Sequence, residues 1–187
     1  MERRGRKLWG AVVVATVLVA AGLVWFRPWA LWIDETVHDA LPGSPVVASA
    51  PPVTSTSGPA PGPASAAPAA PTVVARGTFV SHEHTTTGTV KVVRLADGSH
   101  VLRIEGLDTS NGPDLRVWLS DAAVEEGIGG WRVFDEGRYL NLSRLKGNKG
   151  DQNYPLPAGV DWAAYPSVSI WCDRFDVSFG AAALDRT

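Results

Sequence analysis

The chain has 187 residues, 45% hydrophobic and 19% charged, with a formal net charge of −2, one cysteine and one methionine. That length allows one domain with appendages, and a near-neutral chain lacks the basic footprint that dominates nucleic-acid affinity, so no nucleic-acid partner is expected. A single cysteine excludes an internal disulfide and every CxxC zinc or thioredoxin-like arrangement, and the only methionine, Met1, leaves no internal thioether for a metal.

Residues 1–7 form a basic tail with Arg3, Arg4, Arg6 and Lys7, and residues 8–26 then run for 19 positions without a charge. As a helix this run spans roughly 28 Å, close to a bilayer's hydrocarbon thickness. Trp9 stands at its start and Trp25, Trp29 and Trp32 at its end, where indole rings prefer the membrane interface. The expectation is an uncleaved transmembrane signal-anchor in the plasma membrane, single-pass, with a cytoplasmic N-terminus and an extracytoplasmic C-terminal domain. A cleaved signal peptide is the alternative, but its apolar core is about 7–15 residues and ends in small side chains. Here the exit is the bulky Leu23, Val24, Trp25 and Phe26.

Residues 27–72 read as a juxtamembrane segment and a Pro/Ala/Ser-rich linker, since nine of the 14 prolines fall between Pro42 and Pro71. Such composition cannot bury enough apolar surface to fold and predicts a semi-rigid spacer that holds the domain away from the membrane.

Residues 73–187 hold the signals of a packed domain, with 12 Lys and Arg against 15 Asp and Glu. Strand-like runs at Thr86–Leu95 and His100–Leu107 flank Ala96-Asp97-Gly98-Ser99, a hairpin signal. Leu115, Val117 and Leu119 alternate with Arg116, Trp118 and Ser120; Tyr139–Leu145 and Val168–Cys172 follow as strands. Phe175, Val177 and Phe179 then alternate with Asp176 and Ser178, and Asp121–Gly127 suggests a helical turn. Short strands punctuated by Gly, Pro and Asn predict an all-β fold, an antiparallel β-sandwich or barrel-like domain, preceded by the one helix and the linker.

Cys172 is the first chemical candidate. Val168, Ile170 and Cys172 share one strand face by the period of two, and the register change after it demands a turn or bulge. It reads either as a small buried hydrophobe or as a redox thiol or prosthetic-group ligand, with Asp173 and Arg174 as thiol-tuning neighbours. His82 and His84, two apart, would share a strand face and are the only metal-ligand candidates beside it; a surface pair is the plainer reading. A blue-copper site is disfavoured, because neither histidine nor methionine follows Cys172. Haem on Cys172 or a histidine, a metal, and no cofactor at all stay open. Asp108–Asp114 is oxygen-rich but lacks calcium-loop spacing and reads as a turn. Trp118, on the strand face opposite Leu115 and Leu119, reads as packed under a loop, with an exposed ring that stacks on sugars as the alternative.

Several segments together resemble the DM13 domain family: Gly77-Thr78-Phe79 with Gly88, Gly112-Pro113-Asp114-Leu115, Leu145-Lys146-Gly147-Asn148 with Gly150-Asp151-Gln152-Asn153-Tyr154 and Leu156-Pro157, and Val168-Ser169-Ile170-Trp171-Cys172 with Phe175 and Phe179-Gly180-Ala181-Ala182. The resemblance covers about Val74 to Leu184. It implies an extracellular β module whose cysteine, matching Cys172, acts in electron transfer as a bare thiol or by holding a prosthetic group. It requires no histidine. Two functions follow as expectations: an electron-transfer module working through Cys172 with a redox partner, or a non-catalytic cell-surface binding or adhesion module for a cell-envelope ligand, with Cys172 structural. Neither is an enzyme in the ordinary sense.

Overall fold

The computed structural model describes residues 2–26, 33–43 and 70–187. In chain order these form α1 (Glu2–Phe26), β1 (Thr36–His38), β2 (Thr72–Thr78), β3 (Val80–Ser81), β4 (Thr87–Arg94), β5 (His100–Asp108), β6 (Leu115–Ser120), a 3-10 turn (Ile128–Arg132), β7 (Tyr139–Arg144), β8 (Lys149–Pro155), a second 3-10 turn (Trp162–Ala164), β9 (Ser167–Cys172), β10 (Val177–Ala183) and β11 (Asp185–Arg186). The strands make two sheets, one ordered β1-β8-β5-β4-β2-β11 and the other β3-β10-β9-β6-β7. Every pairing is antiparallel except that of β1 with β8. The expected all-β sandwich is the fold.

The predicted hairpin joins β4 to β5. Gly98 takes φ +82°, a conformation glycine adopts without strain, and the Asp97 carboxylate accepts from the Ser99 amide at 2.9 Å. Alternation then does the rest: Val90, Val92, Leu102, Ile104 and Tyr154 of the first sheet pack against Val117, Leu119, Val168, Ile170, Val177 and Phe179 of the second in one buried cluster. Each of these large side chains contributes about 1.5–3 kcal/mol by leaving water.

Three expectations change. Among the described residues no helix is long and apolar enough to cross a membrane, which overturns the transmembrane signal-anchor and with it the single-pass plasma-membrane localisation. Five of the first six residues of α1 are charged, Glu2, Arg3, Arg4, Arg6 and Lys7.

The folded part also extends into the segment expected to lie before the linker. Residues 34–39, placed before it, belong to the domain: β1 adds to the edge of β8 with Val37 opposite Gly150. The space a Gly43 side chain would take lies 3.4 Å from Pro71, so these two residues sit side by side. Residues 44–69, most of the expected spacer, lie outside the described residues.

The motif Gly150-Asp151-Gln152-Asn153-Tyr154 lies in strand β8, between β1 and β5. Its core-facing Gln152 is fully buried because the polar side chain is satisfied: it donates to the Gly147 carbonyl at 2.6 Å and accepts from the Tyr154 hydroxyl at 2.6 Å. The helical turn expected at Asp121–Gly127 is irregular, and a 3-10 turn follows it at Ile128–Arg132.

Candidate functional site

Cys172 ends β9 on the core face, opposite Leu115 of β6 and Val177 of β10. It is fully buried in the main apolar cluster. The hairpin turn Asp173–Asp176 explains the register change seen in the sequence; Asp176 takes φ +49°, and Arg132 donates to the Phe175 and Asp176 carbonyls at 3.2 and 3.1 Å, closing the turn. The turn is tied to the Gly112–Asp114 segment, where the Asp173 amide donates to the Asp114 carbonyl at 3.0 Å.

Burial pushes the Cys172 thiol above its ordinary pKa, and the backbone N–H groups of Arg174, Phe175 and Asp114 facing the sulfur pull the other way, while the Glu83 charge adds to the rise. Desolvation wins, so the resting group is the neutral thiol. The arrangement is a sulfur sealed from solvent at the end of β9, with the Phe175 amide closing the turn onto the Cys172 carbonyl at 3.2 Å.

The proposed tuning residues act differently from a simple pair of charges. Arg174 turns its guanidinium away, bonding the Trp25 carbonyl and lying 4.7 Å from the Trp25 ring centre, so only its backbone N–H serves the sulfur. Asp173 is drawn into an ion cluster instead, 3.8 Å from Arg116. That cluster centres on Asp114, whose carboxylate receives Arg116 at 2.9 Å and Arg144 at 3.3 Å.

The two histidines part company. His82 lies beyond β3, on the outer side of the second sheet, where it stacks on Phe134 at 5.8 Å between ring centres and is 7% exposed. Its Nε2–H donates to the Glu125 carbonyl at 3.0 Å, which leaves Nδ1 to accept from the Ser178 hydroxyl at 2.8 Å, and Ser178 in turn accepts from Ser169 at 2.9 Å. Burial holds the His82 pKa below its ordinary value, partly opposed by the Glu125 bond. His84 instead faces the core, 3.9 Å from the Phe179 ring centre.

These donors do not fit a metal or a haem. Both His82 nitrogens are already engaged, the Cys172 sulfur sits in packed apolar surroundings, and no group of three or more His, Cys, Asp or Glu able to hold an ion occurs among the described residues. The oxygen-rich turn is likewise internally satisfied: Asp108 sits 3.4 Å from the Lys149 ammonium, and Asn111 donates to the Ile33 carbonyl at 3.1 Å.

Trp118 is not exposed. It belongs to a second cluster on the outer face of the second sheet with Trp171, Phe134 and Ala181, covered by the segment around Val124 and Val133. The indole N–H groups of Trp118 and Trp171 are buried there without a partner among the described residues. This cluster and the His82–Ser178–Ser169 chain escape sequence reasoning because their members lie far apart along the chain; the one available signal is the diagonal placement of aromatics on neighbouring strands.

Two sheets closed over an apolar core, with one buried thiol at the end of a central strand, define a small all-β sandwich module. The chain belongs to the DM13 family: residues 78–184 match the family described as electron transfer DM13. No curated protein and no solved structure matches it. The matched span begins after β1, yet the family-like residues Gly147 and Gly150 are where β1 approaches: a side chain at either would meet the Glu35 or Val37 carbonyl at 2.3 and 2.1 Å.

Proposed function

We propose that this DM13 chain is an electron-transfer module in which Cys172 is the redox group. The observation that carries the reading is the match of residues 78–184 to the electron transfer DM13 family in a domain whose single cysteine, the one readily oxidised sulfur of the fold, closes the central strand β9. Full burial keeps the thiol away from disulfide exchange, which requires direct attack on sulfur, and leaves outer-sphere exchange as the suitable mode. The thiol gives up one electron and one proton to become a neutral thiyl radical. The electron passes to an outer-sphere one-electron acceptor docked at this end of the sandwich, and the proton is released to solvent.

The test is voltammetry of the full chain beside Cys172→Ala and Cys172→Ser, each checked for native near-ultraviolet circular dichroism. The reading expects a one-electron response that both variants lose while keeping the fold. An unchanged response in the variants overturns it.

Complete burial in the core cluster also favours a second reading, a non-catalytic binding module whose thiol is structural. In that case the same variants lose stability and no redox property. The surface aromatic that such a module would have offered at Trp118 is buried, so its ligand face would lie elsewhere.

A further inference from the structure

Three neighbouring strands each place one aromatic ring on the outer face of the second sheet. Tyr139 on β7 stands opposite Ser120, one diagonal step from Trp118 on β6; Trp118 stands opposite Ser169, one diagonal step from Trp171 on β9. The rings meet accordingly. Tyr139 and Trp118 stack at 4.1 Å between centres with 7° between planes, and Trp118 and Trp171 at 4.9 Å with 21°. The row runs from a ring 45% exposed, through one 3% exposed, to one with no exposure.

We propose that Tyr139, Trp118 and Trp171 form a relay that carries a one-electron vacancy from the interior of the domain to its surface. Indole is the side chain most readily oxidised by one electron after thiolate, and phenol follows once it can lose its proton. Stacked rings in contact give the strong electronic overlap that a hop requires. The unpartnered indole N–H groups set the direction. A vacancy on Trp118 or Trp171 does not readily shed a proton, because no acceptor among the described residues is bonded to the nitrogen, and so remains a cation in an apolar setting where charge is costly. On Tyr139 the phenol can release its proton to water and leave a neutral radical. The overall step is the loss of one electron and one proton from Tyr139 to a one-electron acceptor and to solvent; each tryptophan is oxidised and then restored. Phenylalanine at 118 and 171 would fill the same face without stranding two N–H groups, which makes the oxidisable ring the feature to explain.

The relay uses a face opposite to the Cys172 sulfur and stands whether or not that thiol is the redox group. The experiment is flash photo-ionisation of tryptophan in the full chain, with methyl viologen as the one-electron acceptor. The relay expects an indolyl signal converting to a phenoxyl signal by first-order kinetics at a rate independent of protein concentration. Tyr139→Phe keeps the stacked ring but removes the phenol, and the phenoxyl yield falls several-fold while the indolyl signal persists. Trp118→Phe interrupts the middle and lowers the yield at an untouched Tyr139; if its near-ultraviolet spectrum is not native, Tyr139→Phe alone decides. Tyr165→Phe and Cys172→Ser leave the conversion unchanged, the latter even if Cys172 loses its own proposed role. A wild-type chain with no phenoxyl growth, a rate that scales with protein concentration, or an undiminished yield in Tyr139→Phe overturns the relay.

Discussion

Ser178 holds the centre of the buried polar chain: it donates to His82 and accepts from Ser169, so its hydroxyl has a fixed direction. Ser178→Ala strands the His82 nitrogen and frees the Ser169 hydroxyl with no acceptor, a cost of about 1–3 kcal/mol. Adding Ser169→Ala should then cost much less than it does alone, because the group it removes is already stranded; urea unfolding of the two singles and the double measures this coupling, and strict additivity would mean the three groups do not act as a chain. At Cys172 burial decides the chemistry. A thiol with no exposure and a raised pKa should label with a thiol reagent many-fold more slowly in the native chain than after unfolding, and fast native labelling at neutral pH would show a sulfur that opens locally. The alternation of Val168, Ile170 and Cys172 is enough to read that burial from sequence. The fate of Arg174 is not, because its partner Trp25 lies in another element, 149 residues away.

Strand β1 depends on two glycines and one asparagine of the segment it lies against. Asn148, 1% exposed, accepts from the Glu35 amide at 2.7 Å and donates to Asp34 at 2.8 Å and to the Thr109 carbonyl at 2.7 Å. Asn148→Ala therefore removes three bonds around a buried group and should cost about 2–3 kcal/mol. Gly150→Ala acts through the backbone: the residue sits at φ +94° and its new methyl would overlap the Val37 carbonyl, so β1 must lift from β8. Hydrogen exchange checks this, with the Asp39 amide, which donates to Asp151 at 3.0 Å, losing protection while β4 and β5 amides keep theirs. Equal loss across the sheet would show instead that β1 is integral to the core. Strands β4, β5, β6 and β9 were legible because apolar residues alternate or because an Asp-Gly turn sets the register. Strand β8 was not, since Gln152 replaces an apolar side chain at a core position and is paid for by hydrogen bonds made only in the folded sheet. Strand β1 was not either, because its three residues pair through space with Lys149, Gly150 and Asp151, more than a hundred positions on.

For the whole molecule, the perturbed ionisable groups act together to frame a window of maximum stability. On the acid side, the Lys146 hydrogen bond holds the Asp39 carboxyl below its ordinary 3.8, the Lys91 hydrogen bond holds Glu105 below its ordinary 4.5, and burial holds His82 below its ordinary 6.5. In each case the unfolded chain binds the proton first, so the stabilisation is present above the unfolded value and is lost as pH falls through the folded one. His82 comes first: stability begins to decline below about pH 6.5, and the carboxylates deepen the decline below about pH 4.5. On the alkaline side, burial raises Cys172 above its ordinary 9.0 and Tyr154 above its ordinary 10.0, so the unfolded chain loses these protons first and stability falls as pH rises past about 9. Urea unfolding at a series of pH values should therefore give a plateau between about pH 6.5 and 9 with a shoulder on each side. His82→Gln should flatten the upper part of the acid shoulder, and Cys172→Ala the first part of the alkaline one, each leaving the other unchanged. Such independence is expected because the two groups face opposite sides of the second sheet, His82 toward the aromatic layer and Cys172 toward the core. A single variant that flattened both shoulders would show instead that the two faces of the sheet unfold as coupled but separate units, with local opening rather than global unfolding setting the pH response.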